Sequence, residues 1–404
     1  MTEKLFWNDP YQTEFSAVLQ EQFPVQDGNA LVLDRTCFYA TSGGQPNDLG
    51  VLNEIPVKDV RTEDGKLLHI VEAPVESKSL TGKINWTRRF DHMQQHTGQH
   101  ILSAAFFRLF QAETSSFHLG ELLCSIELIK SEMKEPQILQ AEDLANSVIQ
   151  SASQVSSFFV DPAKAQDYPL RKQSDLTESL RIIQIGEFDL SPCSGTHVRN
   201  TGEIGLVFIY SFEKLSGSVK VTFLCGNRVR SLYHRELSIL KDASKKFTTS
   251  FELIPESISR LQAQIKDLRR ENMKLKETRL NAEAIELANN SEQWKDNRLV
   301  VRVWDRPFEE VRFIGQRLSE QPGFVGVLVS KSERRCVFFK HPDVKAELKP
   351  LFSRFLEVSG GRGGGPAHLM EAGNLNLPKD AQDFLRSLFL ENQRGQDYFN
   401  TKTR

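Results

Sequence analysis

Long apolar runs are missing from this chain: the most hydrophobic short stretch, residues 204–210 (IGLVFIY), falls far below the roughly 20 residues a membrane helix needs. The reading is therefore of a protein that crosses no bilayer. Cysteine is scarce, with five residues, Cys37, Cys124, Cys193, Cys225 and Cys336, widely scattered and odd in number. That excludes a disulfide framework and leaves metal binding or plain burial as their uses. Charge of one sign is also missing, since 51 Lys and Arg stand against 53 Asp and Glu for a net charge of -2. No global field attracts a polyanion, so any nucleic-acid contact must rely on local patches. The opening residues, MTEKLFWNDPYQ, are charged early and lack the apolar core of a secretory signal, which places the chain in the cytoplasm. Internal repeats and extended low-complexity tracts are absent as well.

What is present is ordinary for a globular protein: 39% hydrophobic and 26% charged residues, with a mean hydropathy of -0.39. A length of 404 residues is large for one domain and predicts two or three. Up to about residue 85, short apolar runs (ALVLDRTCFYA, GVLNEIPVKDV, KLLHIVEAP) alternate with turn clusters such as SGGQPND, the pattern of a small β unit. A helical pattern runs from Asp91 to about Phe110. It is followed by a strand (GELLCSIELI), a long helix (EPQILQAEDLANSVIQSAS) and further strands (SSFFV, LRIIQIG, GLVFIY, SVKVTFL), a mixed α+β arrangement to about residue 240. Near Pro255 the composition turns to charged and apolar residues at heptad spacing. Ile258, Ile265 and Asn272 take one seam position and Leu261, Leu268 and Leu275 the other. This helix either pairs two chains or packs on its own domain. The remainder alternates strands (NRLVVRVW, GFVGVLVS, RCVFFKH) with helices and breaks once for SGGRGGGPAHLMEAG.

The chemistry concentrates in two short segments. In FDHMQQHTGQH, His96 and His100 are four residues apart, so a helix presents both imidazoles on one face. His92 extends the series, but three collinear positions spread beyond one ion, which makes it a flank or a support. In SPCSGTHVRN, Cys193 and His197 are again four apart. Two histidines with a cysteine and a histidine form a nitrogen and sulfur set that suits tetrahedral zinc in softness and number. The pairs are almost a hundred residues apart and lack a CxxC, so the metal would join two parts of one folded domain. A closed structural site and a catalytic site with one loose ligand both remain open.

HTGQH before an apolar helix, followed far downstream by CSGTHVRNTGEIG, resembles the HxxxH and CxxxH signature of the alanyl-tRNA synthetase editing domain and its free-standing relatives. FYATSGGQPNDLG is similar to the glycine-rich stretch of the N-terminal β-barrel of the longer relatives, and GGRGGGPAHLMEAG to the motif of a DHHA1-type C-terminal domain. The resemblance implies an α+β fold in four parts. These are a β-barrel at 1–88, a zinc-containing editing domain at 89–245, a helical, coiled-coil linker at 246–292 and a tRNA-binding α/β DHHA1-type domain at 293–404. It implies Zn2+ held by His96, His100, Cys193 and His197, and hydrolysis of the aminoacyl ester of tRNA(Ala) mischarged with serine or glycine, without an aminoacylating module. Zinc would orient the amino acid or polarise the attacking water. The alternative from another class is a non-catalytic tRNA-binding protein with a structural zinc. Residues 255–280 would serve a homodimer.

Further residues carry weaker expectations. His118, in SSFHLGELL, stands where many full synthetases have glutamine, and is expected with Thr97 at the aminoacyl pocket. Gly43 and Gly44 are expected as a turn that lets backbone approach the substrate. Gly43-Gly44-Gln45 also matches the tripeptide that release factors use on peptidyl-tRNA, a coincidence of three residues that is set aside. In the segment from Gly360 to Gly365, Arg362, Gly363 and Gly364, with Lys340 nearby, are expected at a tRNA contact made by backbone N–H groups and one guanidinium. No GK[ST] follows it, which disfavours nucleotide triphosphate binding. Asp91-His92-Met93 lacks the second histidine of a DHH phosphoesterase.

Overall fold

The computed structural model describes residues 2–172 and 180–390. The fold is mixed α and β and divides into two compact units, Met1–Lys246 and Phe247–Arg404.

In the first unit, six strands close into a barrel: β1 (Glu14–Val25), β2 (Gly28–Leu33), β3 (Gly50–Leu52), β4 (Ile55–Glu63), β5 (Lys66–Val71) and β6 (Ser79–Ile84), ordered β1-β2-β5-β4-β3-β6. Strand β6 shows why: Leu80, Gly82 and Ile84 are buried, while Ser79, Thr81 and Lys83 face out. Helix α1 (Trp86–Phe110) leaves the barrel under an Asn85 cap, whose side chain accepts from the Arg88 N–H at 3.1 Å. It therefore begins five residues before the expected Asp91. Every residue from His92 to Phe106 is buried, so a polar side chain in this stretch is costly wherever it lacks a partner.

Around α1 lie an antiparallel sheet and a smaller one. The four-stranded sheet contains β7 (Glu113–Leu119), β8 (Cys124–Ile129), β12 (Val207–Lys214) and β13 (Val219–Cys225), ordered β12-β13-β8-β7. The three-stranded sheet contains β9 (Val155–Val160), β10 (Leu180–Ile185) and β11 (Asp189–Pro192). Helix α2 (Glu135–Gln150) packs on α1, and both share a core with Ile126, Ile183 and Phe223. Helix α3 (Asn227–Phe247) follows β13 and lies outside what the sequence pattern identified. Arg89 ties α1 to the barrel. Its Nε lies 3.0 Å from both carboxylate oxygens of Asp48, with both side chains fully buried, and its terminal nitrogens donate to the Pro10 and Cys37 carbonyls.

In the second unit, helix α4 (Ile254–Asn289) leads to strands β14 (Glu292–Trp294), β15 (Asn297–Trp304), β16 (Phe324–Ser330), β17 (Arg335–Lys340), β18 (Arg362–Gly364) and β19 (Leu369–Gly373). They form one sheet ordered β14-β15-β16-β17-β19-β18. Helices α5 (Phe308–Ser319), α6 (Leu348–Ser359) and α7 (Ala381–Leu390) complete the unit. The end of α4 is buried through Leu280, Ala284 and Ala288 against Val311, Ile314 and Leu318 of α5. Its heptad seam is not packed on its own domain: Ile258, Leu261, Ile265, Leu268 and Leu275 are all exposed. Among the described residues, no helix is long and apolar enough to cross a membrane.

Candidate metal centre

The buried middle of α1 fixes His96 and His100 side by side, with ring centroids 5.3 Å apart. After β11 the chain turns through Cys193 and returns His197 toward them. The four candidate ligand atoms lie within 4.8 Å of one another. Cys193 Sγ is 3.4 Å from His96 Nε2 and 3.3 Å from His197 Nε2. A tetrahedral zinc with bonds near 2.0–2.3 Å places its ligand atoms about 3.3–3.6 Å apart, so the residues fit such an ion.

Each imidazole is held from behind through its other nitrogen. Gln45 Oε1 accepts from His96 Nδ1 at 2.8 Å, and Thr97 Oγ1 lies 3.1 Å from His197 Nδ1. Asp189 Oδ2 is 3.4 Å from His100 Nδ1, an ion-pair distance. These partners are themselves fixed. Gln45 Nε2 donates to Thr196 Oγ1 at 2.8 Å, while Arg171 Nε and Ser191 Oγ donate to Asp189 at 2.7 and 2.9 Å. With the Nδ1 sides occupied, the Nε2 sides are free to converge. Gly195 completes the arrangement, since a Cβ there would lie 2.3 Å from Cε1 of His96. Arg181 clamps the same turn by donating to the Cys193 and Gly195 carbonyls at 3.0 and 2.8 Å.

The electrostatics favour a thiolate at Cys193. Burial alone would raise the Cys193 thiol, but His96 and His197 beside it and hydrogen bonds from His100 and His197 hold it well below its usual value. His197 is pushed down to about 3 by burial, which keeps its ring neutral. Burial would lower His100 too, but Asp189 and the Cys193 sulfur outweigh it and raise the ring to about 9. Asp189 falls to about 2 despite its burial, because His100 and Arg171 stabilise the carboxylate. A thiolate with imidazoles is the donor set that zinc selects. The cluster opens on a cavity of about 770 Å³, which Trp7, Phe159, Gln99, Ser116 and Lys172 help to line.

The structure brings His96, His100, Cys193 and His197 together and distributes the other expected residues of the first unit around them. Gly43 lines this cavity. Gly44 does not: its φ is +83° and a Cβ would lie 2.7 Å from the Phe117 carbonyl oxygen, so it packs the loop against β7. Thr97 is fully buried and bonds His197 and the Val198 N–H, holding a ligand rather than facing the cavity. His118 is displaced from the expected pocket. Phe117 stacks on His96 at 5.3 Å, and alternation along β7 turns His118 away, toward a second cavity that His92 also lines. In the second unit, Lys340 commits its ammonium to the Val344 and Ala346 carbonyls at 2.9 and 3.0 Å. The glycine segment is no phosphate-wrapping loop there. Arg362, Gly363 and Gly364 form an exposed edge strand paired with Gly373, Ala372 and Glu371.

Sequence reasoning missed Gln45, Asp189, Arg171 and Arg181. Gln45 lay in view inside the glycine tripeptide, and Asp189 stands four residues before Cys193, yet neither spacing signals contact with a histidine on another element.

The sequence is similar to those of several known proteins. Residues 180–220 match the family model described as the threonyl and alanyl tRNA synthetase second additional domain, and residues 11–89 match class II (A) tRNA synthetases. The chain is 28% identical to the alanyl-tRNA editing protein AlaX-L of Pyrococcus horikoshii, over 91% of this chain and 94% of that one. It is 30% identical to an alanyl-tRNA editing protein of Rattus norvegicus, over 66% of this chain and 69% of the relative. An alanine–tRNA ligase of Pyrococcus abyssi is 29% identical across 90% of this chain, which spans only 41% of that enzyme.

Proposed function

The chain belongs to the alanyl-tRNA editing proteins, and from that premise we propose that it is a zinc-dependent hydrolase that deacylates tRNA(Ala) mischarged with serine or glycine in the cytoplasm. The observation that carries the reading is the convergence of His96, His100, Cys193 and His197 within 4.8 Å at the floor of an open cavity. When bound, zinc supplies a positive centre that can orient the aminoacyl group or polarise water. The surrounding residues fit an aminoacylated RNA end. Gln99 is buried and donates its Nε2 to Ser103 Oγ at 2.8 Å, which leaves its carbonyl oxygen to accept from the substrate amino group. The ring of Trp7 meets Phe159 edge-on at 5.6 Å and provides an aromatic wall for the terminal base. Lys172 adds positive charge at the cavity for the adjoining phosphate.

We further propose the domain limits 1–88, 89–245, 246–292 and 293–404, with a DHHA1-type C-terminal part that meets tRNA through Arg362, and a homodimer through the exposed seam of α4. The catalytic reading is tested by incubating the purified protein with seryl-, glycyl- and alanyl-tRNA(Ala). Release of serine or glycine with alanine left in place supports it. If none is released by the zinc-loaded protein, the chain is a tRNA-binding scaffold with a structural metal.

A further inference from the structure

A second cavity, of about 630 Å³, opens at the start of α1, and none of the chemistry above uses it. Its lining includes Asn85, Thr87, Arg88, Asp91 and His92 from the cap and first turns of that helix. Arg88 donates its Nε to the Asn47 carbonyl at 2.9 Å, and among the described residues its two terminal nitrogens have no partner. Arg88 lines the cavity together with Asn85 and Thr87 at the N-terminus of a 25-residue helix, where the macrodipole favours negative charge. His92 is an independent pointer to a ligand. It is only 3% exposed, it lines the cavity, and among the described residues its Nδ1 has no hydrogen-bond partner. A buried polar atom left unpaired is costly unless something else satisfies it.

The carboxylate nearest these groups is already neutralised. Asp91 is gripped by Arg228, Nε to Oδ1 at 2.9 Å and Nη2 to Oδ2 at 2.6 Å. Exposed Glu121 is the other negative charge in the lining. This cavity neighbours the metal-ligand cavity. Arg88 and His92 line one and His96 and His100 line the other, and at 1.5 Å per residue Arg88 is about 12 Å from His96 along the helix axis. The wall between them is thin: on β7, Phe117 lines one cavity and His118 the other, and in the glycine loop Gly43 lines one and Pro46 the other.

We propose that this cavity is a phosphate subsite for the single-stranded end of the substrate RNA, with a backbone phosphate held by Arg88, the first turn of α1 and His92. The choice of RNA rests on the deacylase reading; the anion site does not. The subsite keeps the strand in register while its ester reaches the cluster.

The test is binding of uncharged tRNA by the full chain across a salt series, for wild type, Arg88→Gln and Glu121→Gln, with zinc content and helicity checked for each. Arg88→Gln should weaken binding about tenfold at low salt and lower the slope of log affinity against log salt by about one, while Glu121→Gln tightens binding. Unchanged affinity and slope in Arg88→Gln would overturn the proposal. Competition with a mononucleotide separates the sources. A mononucleotide that binds wild type but not Arg88→Gln, with tRNA affinity the same in both, would assign the site to free nucleotides and overturn the RNA assignment. Because uncharged tRNA needs no hydrolysis, an Arg88-dependent affinity without serine release would sink the deacylase reading and leave this site standing.

Discussion

Cys193 and its three histidines lie in the first unit with each imidazole tied through Nδ1 to a fixed partner, whereas Arg362, Gly363 and Gly364 lie on an exposed edge strand of the second. Both segments are rich in residues that carry chemistry, and the fold treats them oppositely. The first is enclosed, so its geometry is set before any ligand arrives, as a reacting centre requires. The second leaves a guanidinium and bare backbone in water, suited to a contact that tolerates movement and varied sequence. Preorganisation separates the two more than composition does.

The comparison breaks most severely if the support beneath the cluster is removed. Arg89→Met strands the fully buried Asp48 carboxylate and should cost about 3–5 kcal/mol of first-unit stability, measured by chemical denaturation. The second unit should unfold unchanged. Acid offers a milder route. His69 is fully buried in the barrel, where burial pushes it down to about 4, against about 6.5 in the unfolded chain. Between those values the unfolded chain binds the additional proton. The stability from the neutral ring is therefore complete above about pH 6.5, and about 3 kcal/mol is lost as the pH falls to 4. Replacing His69 with Gln should lessen that acid slope without abolishing it, since buried His197 contributes a slope of its own, and an unchanged slope would contradict the assignment.

Finer changes sharpen the contrast. Asp189→Asn and Gln45→Ala leave all four ligands in place but loosen His100 and His96, and should weaken zinc about 10–100-fold in a chelator competition. Equal affinity in wild type and both variants would show that the Nδ1 partners do not hold the rings. The smallest effect belongs to the open strand. Arg362→Ala should leave zinc affinity unchanged and lower the salt slope of tRNA binding by about one.

Much of this was legible in the sequence, for identifiable reasons. Short apolar runs between turn clusters in the first 85 residues reflect strands that bury side chains in a common core, and four-residue spacing puts His96 with His100 on one helix face. The apolar runs that became β15, β16 and β17 are buried and carry β-branched and aromatic residues. What stayed hidden depends on contacts between distant segments. Gln45 meets His96 across 51 residues, and no local pattern records it. The side to which His118 turns stayed hidden for a related reason, since a one-residue step along a strand moves a side chain to the other face and only the stacking of Phe117 on His96 sets the phase. Lys340 counted as available charge until the fold gave it two carbonyls.

The most direct test joins metal to reaction. Zinc content and serine release from seryl-tRNA(Ala) are measured together for wild type, His100→Ala and Cys193→Ala, with retained helicity as the control for folding. The account predicts that the wild type binds one zinc and releases serine, and that both variants lose metal and hydrolysis together while remaining folded. Full hydrolysis by a folded variant that has lost its zinc would contradict it.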